Sequence, residues 1–444
     1  MRILFIILIT GLVFTRTKAD AQERPTLQNL SLEEAQALAL QNNPELQVKT
    51  INTAIAQKKI EQAKWEKIPD IYANIGLRRN LIIPTTPVPA KAFNPDAEKG
   101  EIMPLQFMTD WSSKAGINAS FDLFNPKSRG QIKEAKQRAQ IKSTTKKISV
   151  NQLKYQVGAD YAAVIIAKKQ FHLAIADTIN KTKILAIVQD QHQAGRLTIS
   201  ELNKAISNKN QSISRYFKAS KILISAKAQL LTDLGISPQK REKLSISDDI
   251  NSLLHSNKKT LQKNSLSLTK RKQQKRLTKI QLHNTKLEFL PTVSLEGFYG
   301  SNFYNNDFDI FKGQNWYGNS YIGLSINIPI TQGLDRIKKI DQLQLQKQAD
   351  MANYNAQNNQ LQLENLQAQQ DIVYKKKALQ QKKKNMALIR KNFLSAKDKF
   401  SSGRLLISEL LQNDFLYQKA QNSYLQAAYD YIIAKMQLRK LSRK

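Results

Sequence analysis

Acid, base and metal chemistry have few residues to work with in this chain. Its 444 residues include no cysteine and only four histidines, His172, His192, His255 and His283, none spaced as H-x-H or H-x-x-x-H. That removes disulfides, thiolate zinc sites and cysteine nucleophiles, and leaves each histidine as a surface or packing residue. No phosphate-binding glycine loop and no Ser/His/Asp motif occurs. No catalytic, cofactor-binding or metal-ligating residue is assigned, and the chain does not read as an enzyme. The acids with a recognisable setting are Glu201 and Glu409. Gly195-Arg196-Leu197-Thr198-Ile199-Ser200-Glu201-Leu202 returns as Gly403-Arg404-Leu405-Leu406-Ile407-Ser408-Glu409-Leu410, with Thr198 against Leu406 as the only difference. Each glutamate follows a glycine turn inside the first two turns of the next helix, where a carboxylate also suits the helix dipole.

The elements that place these turns come in two matching sets. Lys67-Ile68-Pro69 and Phe289-Leu290-Pro291 each precede a stretch of period-two alternation. Four such stretches occur. Ile71, Ala73, Ile75 and Leu77 form the first, and Ala115, Ile117, Ala119, Phe121 and Leu123 the second. Val293 and Leu295 form the third, and Ile322, Leu324, Ile326, Ile328 and Ile330 the fourth. Period two with one apolar face means strands half exposed to something apolar. With their flanks they reach about 9–11 residues, enough to cross an outer membrane. The pattern predicts strands at about 69–79, 114–124, 291–300 and 320–330.

Long helices follow each strand pair, at about 127–194 and 334–402, then shorter ones at about 198–235 and 406–440. Glycine (15) and proline (12) are scarce, and neither occurs from Leu334 to Ser402. About 68 residues make roughly 100 Å of helix. Leu379, Met386, Phe393 and Phe400 recur every seven residues, with Ile389 and Ala396 three further on from two of them, a coiled-coil seam. Leu153, Val157, Tyr161, Val164, Phe171 and Ile175 make a similar stripe. Residues 81–110, holding five prolines, read as an irregular exposed loop. The aromatics Phe303, Tyr304, Phe308, Phe311, Trp316 and Tyr317 fit either an interfacial girdle or simple loop packing.

Residues 1–21 read as a secretory signal: Arg2, an apolar stretch from Ile3 to Phe14, and Ala19-Asp20-Ala21 as a cleavage site. The organisation expected is a signal at 1–21, a first structural repeat at 22–247 and a second at 248–444. The formal charge of +34, with runs such as Lys270-Arg271-Lys272 and Lys382-Lys383-Lys384, leaves a basic coiled-coil nucleic-acid-binding or structural protein as the alternative. The signal, the alternating strands and the lack of a nucleic-acid module weigh against it, and no nucleic-acid partner is expected.

Four strands cannot close a barrel, and open edges cannot face lipid. The smallest bacterial barrels have eight strands, filled by side chains, whereas twelve from three chains leave a lumen.

The opening Leu30-Ser31-Leu32-Glu33-Glu34-Ala35-Gln36-Ala37-Leu38-Ala39-Leu40-Gln41-Asn42-Asn43-Pro44-Glu45-Leu46, with the strand pairs, long helices and both glycine turns, resembles the outer membrane efflux proteins, the TolC-like family. The resemblance implies a mainly α fold with a membrane β-barrel contribution. Four strands per chain would give a trimeric twelve-stranded barrel, and long antiparallel coiled-coil helices a periplasmic α-barrel. It implies a passive outer-membrane exit duct of an efflux or type I secretion system, without cofactors. Partners would be two further copies, a periplasmic adaptor, an inner-membrane pump or ABC exporter, and outer-membrane lipid. Lipid would meet Ile322, Leu324, Ile326 and Ile328. The adaptor would dock at Gly195, Arg196, Leu197, Gly403, Arg404 and Leu405. The periplasmic gate candidates are Glu409, Gln412 and Phe400, with Asp414 nearby. Phe400 and Leu405 stand where some members carry a locking tyrosine and arginine.

Overall fold

The computed structural model describes residues 27–255, 265–330 and 333–441. The signal expected over residues 1–21 lies outside the described residues. Along the chain come α1 (Leu32–Asn42), α2 (Pro44–Trp65), β1 (Asp70–Arg79), β2 (Thr85–Pro89), β3 (Ile102–Gln106), β4 (Trp111–Phe124), α3 (Pro126–Gln193) and α4 (Ile199–Asp233). There follow α5 (Ile250–His255), α6 (Leu266–Leu287), β5 (Thr292–Asn305), β6 (Trp316–Asn327), α7 (Gly333–Ser401) and α8 (Ile407–Leu441). Two compact units share these elements. A sheet unit takes the described residues within 44–152, 258–374 and 434–444, and a helical unit those within 1–43, 153–257 and 375–433.

In the sheet unit, the order β1-β4-β5-β6 is antiparallel throughout. The rungs Ala73↔Ile117, Ile117↔Tyr299, Leu295↔Leu324 and Val293↔Ile326 put all four alternating sets on one face. The other face carries Asn74, Lys114, Asn118, Glu296, Asn302 and Asn319. Four stretches spread over about 250 residues of sequence, from Ile71 to Ile326, thus make one continuous apolar surface. Ile71, Ile75, Leu77, Ile322, Leu324 and Ile326 on it are exposed, and among the described residues β1 and β6 leave both sheet edges unpaired.

Three details differ from expectation. Residues 85–89 and 102–106 form a two-stranded ladder instead of an irregular loop. Pro87, Pro89 and Pro104 all fall on alternate rungs of one kind, with Pro87 opposite Pro104. There an antiparallel ladder needs no N–H from them. A register shift between Asp122 and Phe124 brings Phe124, not Leu123, opposite Val293 on the apolar face. Ile328 lies one residue past the end of β6. Its partner strand begins at Thr292, directly after Pro291, so pairing stops at Thr292↔Asn327.

The aromatics of 301–319 are partly packed and partly exposed. Phe303 is buried against Trp316, ring centroids 5.6 Å apart, and Trp111 packs on Phe308 at 4.8 Å. Tyr304, Tyr317 and Phe311 are exposed. Below the sheet strands, polar contacts knit the helices of this unit. Thr278 Oγ1 donates to Asp350 Oδ2 at 2.5 Å, and Gln281 Nε2 donates to Glu134 Oε1 at 2.9 Å.

In the helical unit, α1 starts with a capping box in which the Ser31 hydroxyl accepts from the Glu34 N–H and the Glu34 carboxylate accepts from the Ser31 N–H. It stops at Asn43, whose extended backbone suits a residue before proline. The stripe expected on α3 is buried at Val157, Tyr161 and Val164. The fully buried Tyr161 hydroxyl donates within 2.8 Å of both the Leu30 carbonyl and Asp248 Oδ2. Asp248 Oδ2 also accepts from the Leu32 N–H at 3.1 Å. This node ties the start of the described chain to the segment before α5. Tyr161→Phe leaves the buried Leu30 carbonyl and the half-buried Asp248 carboxylate short of a donor, and a loss of about 1–3 kcal/mol is expected on thermal or denaturant unfolding. An unchanged midpoint would show that water replaces the hydroxyl at no cost.

Candidate functional site

The two glycine turns close the hairpins α3–α4 and α7–α8 by the same hydrogen bonds. Gly195 N–H donates to His192 O and Arg196 N–H to Gln191 O; Gly403 N–H donates to Phe400 O and Arg404 N–H to Lys399 O. This is the Schellman arrangement, which needs a left-handed residue after the helix. Gly195 and Gly403 sit at φ 72° and 70°, with open space where a Cβ would be, so backbone conformation rather than crowding selects glycine. Arg196 and Arg404 are exposed, while Leu197 and Leu405 turn inward. They pack on a buried cluster of Ile184, Leu185, Val188, Ala205, Phe393, Ala396, Phe400, Ile407 and Leu410. The gate candidate Phe400 is 4% exposed within that cluster, its ring committed to packing the hairpin end.

The octapeptides diverge in what their glutamates do. Glu201 completes a capping box: its Oε2 accepts from the Thr198 N–H and hydroxyl, both at 2.9 Å, and the Glu201 N–H donates back to Thr198 Oγ1 at 3.3 Å. The Thr198 N–H and hydroxyl hold the Glu201 carboxyl below the usual carboxylate range. At the second turn Leu406 replaces the threonine and has no oxygen to offer. The Glu409 side chain is exposed in the first turn of α8, and among the described residues its carboxylate makes no hydrogen bond or ion pair. The one substitution between the octapeptides therefore releases one of two otherwise equivalent carboxylates. Gln412, one turn on, is also exposed.

Asp414 behaves differently. It is buried in an ion pair with Lys181 of α3, and so faces the packed interior of its own chain. Among the described residues no group of three or more histidine, cysteine or acidic side chains is placed to hold a metal ion.

An antiparallel four-stranded sheet, greasy on one face and open at both edges, joined to helices of 68 and 69 residues, is a distinctive combination, and solved structures share it. The CmeC outer membrane channel of Campylobacter jejuni superposes with a TM-score of 0.72 at 16% identity, covering 92% of this chain and 85% of its own. The outer membrane protein VceC of Vibrio cholerae gives 0.74 at 14% identity, covering 93% and 96%. The open-state MtrE outer membrane channel of Neisseria gonorrhoeae gives 0.71 at 16% identity, covering 92% and 88%. This chain has the outer-membrane channel fold. No protein-family model matches the sequence, and no curated protein matches it. At these identities the comparison speaks for the fold, and the site rests on this chain's own residues.

Within the channel fold, sequence reasoning passed over Phe298. It sits on the polar face of the sheet yet is 3% exposed. Its ring fills the notch left by Gly116 and Gly300, which face each other across β4 and β5; a Cβ on Gly116 would meet the ring at 2.6 Å. Lys114 Nζ lies 3.9 Å from the ring centroid, an attractive cation–π contact. Two glycines on one rung were the available signal, since an aromatic commonly covers such a gap.

Proposed function

We propose that this chain is a passive exit duct of the bacterial outer membrane, built from three copies. The observation that carries the reading is the single apolar sheet face bounded by two unpaired edges. In water that face is costly, and in lipid the open edges are too. Three chains closing edge to edge satisfy both conditions and leave a lumen lined by the polar face. The channel fold supports the same assembly, as does the duplicated plan of the sequence. The exposed arginines of the Gly195 and Gly403 turns offer a surface to a periplasmic adaptor, through which an inner-membrane transporter would supply the energy. The mature chain should fractionate with outer membranes and migrate as a trimer in mild detergent. A soluble periplasmic monomer would overturn the reading.

Glu409 is the residue assigned to selectivity, with Gln412 beside it and Phe400 packing the hairpin end beneath. Three unpaired carboxylates around one opening attract cations. In planar bilayers Glu409→Gln should lower cation selectivity and weaken block by multivalent cations, while Glu201→Gln, whose amide still serves a capping box, should do neither. Leu406→Thr gives the sharper comparison. It restores the missing cap oxygen, should draw Glu409 back onto its own helix, and should reduce selectivity while adding about 1 kcal/mol to the hairpin. If Leu406→Thr and Glu409→Gln both conduct like the parent, Glu409 does not face the permeation path.

A further inference from the structure

The polar face of the four-stranded sheet sorts its charges by position. Among the described residues that face carries Asp70 and Arg78 from β1, Lys114 and Asp122 from β4, and Glu296 from β5, all of them exposed. Asp70 and Glu296 share one rung, with Ser120 between them, and Asp122 lies on the next rung towards the helices. Lys114 lies three rungs the other way, opposite Gly76 and Asn302, and Arg78 is one rung beyond it. The acids therefore stand where β1, β4 and β5 join α2, α3 and α6, and the bases stand towards the loops. Two uncharged rungs, those of Asn118 and Gly116, separate the signs by about 20 Å of strand.

Neither pairing nor wetting accounts for this order. Cross-strand ion pairs put opposite signs on facing or diagonal positions, yet no base here stands within two rungs of an acid. Among the described residues none of the five is in an ion pair. Asp122 Oδ2 accepts from Asn125 Nδ2 at 2.7 Å, and Lys114 Nζ rests 3.9 Å from the Phe298 ring centroid; both contacts leave the charge in place. A face that only needs water is served as well by mixed signs. In a closed lumen sorted charges act together, because low-dielectric walls focus their fields and a ring of one sign admits ions of the other. With three acids and two bases on each chain, three copies would set nine carboxylates at the helix side of the lumen and six cations at the loop side.

We propose that Asp70, Asp122 and Glu296 with Arg78 and Lys114 make the barrel a bipolar rectifier, a cation-selective segment joined end to end with an anion-selective one. When the drive carries cations in from the helix side and anions in from the loop side, both accumulate at the uncharged rungs and conductance rises. The opposite drive empties that junction of both, and conductance falls. The duct stays passive, since no net flow arises without a gradient. Cations leaving towards the loops and anions entering from them take the easy direction. The inference rests on the duct reading, and adds the side chains that decide which charge passes more readily each way.

The full-length chain in planar bilayers, recorded one channel at a time, tests this. The chain has no cysteine, so biotin on Phe311→Cys, in the exposed connection between β5 and β6, marks the loop side by capturing streptavidin. In about 0.1 M KCl, with a Debye length of about 10 Å, current with the helix side positive should exceed that at the opposite polarity about twofold. In about 1 M KCl, where the length falls to about 3 Å, the two currents should converge. Arg78→Gln with Lys114→Gln, and Asp70→Asn with Glu296→Gln, should each bring the ratio towards one. The first pair should raise cation selectivity and the second lower it, opposite shifts that a merely structural role would not produce. Exchanging the signs, Asp70→Lys and Glu296→Lys with Arg78→Glu and Lys114→Glu, should invert the preferred polarity. Glu409 is present throughout and cancels from the comparison. Should the exchanged chain fail to assemble, the two neutralised chains decide. Neutralised chains that rectify like the parent, or a parent with equal currents at both polarities in the dilute salt, overturn the rectifier and leave the duct intact. A parent chain that forms no channels overturns the duct itself, and the rectifier with it.

Discussion

Ile322→Arg is expected to abolish assembly in the outer membrane. Ile322 stands at the middle of β6, 83% exposed, opposite Gly297 on the apolar face. A cation on the lipid side of a barrel strand costs about 2–4 kcal/mol at the midplane and falls towards zero near the interfaces. Three chains would incur that cost three times, on the order of the entire net stability of an ordinary domain. Asn319→Arg is the control, since Asn319 is exposed on the opposite face, across from Gly300. It should leave trimer yield unchanged and alter conductance. Ile326→Arg tests depth: Ile326 shares the face of Ile322 but sits one residue from the strand end, and an intermediate loss is expected. Trimer recovered from outer membranes, resolved on mild-detergent gels, reads all three. Equal losses from Ile322→Arg and Asn319→Arg would show that the two faces are not distinguished by lipid.

The strands were legible because period two survives in isolation. Ile71 to Leu77 and Ile322 to Ile326 state their face without help from neighbours, and the rungs place them together as that pattern requires. The loop-side ends were not legible. β5 runs on to Asn305 and β6 starts at Trp316, five and four residues beyond expectation, because Gly300, Ser301, Asn302, Gly318 and Asn319 have no apolar alternation and are held by pairing alone. The β2–β3 ladder was hidden by its prolines. Their number suggested a loop; their spacing suited a ladder. Long helices and glycine turns were legible from the scarcity of breakers and from the octapeptides, and Thr198 against Leu406 was visible as a difference. Its consequence for Glu409 needed the capping geometry. The buried ion pair was the least legible feature, since Lys181 and Asp414 are 233 residues apart and each alone resembles any other charge on a polar helix. Nothing local marks a charge that another helix will bury.

Raising the pH from about 5 to 8 should weaken the helical unit, and Asp160→Asn should remove much of that weakening. Asp160 of α3 lies beside Asp233, the last residue of α4, and Asp233 Oδ2 is buried with no hydrogen-bond partner among the described residues. Gln156 Nε2 stands 3.4 Å from each Asp160 oxygen, a weak donation at best. Burial first, then the Asp233 carboxyl, push the Asp160 carboxyl up to about 7 from 3.8. The folded chain thus holds a proton that the unfolded chain has released. The contribution is whole below the unfolded value and is lost as pH rises towards 7, after which both states are ionised and the deficit is constant. At about 1.4 kcal/mol per unit the full shift would be about 4 kcal/mol; Asp160 is only half-buried, and solvent screening brings the expected figure to the order of 2 kcal/mol. Asn cannot ionise, so the variant should match the parent below about pH 4, where Asp160 is protonated in both states. Above that it should exceed the parent in thermal unfolding, by a margin that grows up to about pH 7. Asp414 and the other titrating groups remain in both proteins and cancel from the difference between their profiles. Parallel profiles would mean that Asp160 and Asp233 are both ionised in the folded chain, with water or a cation between them instead of a shared proton.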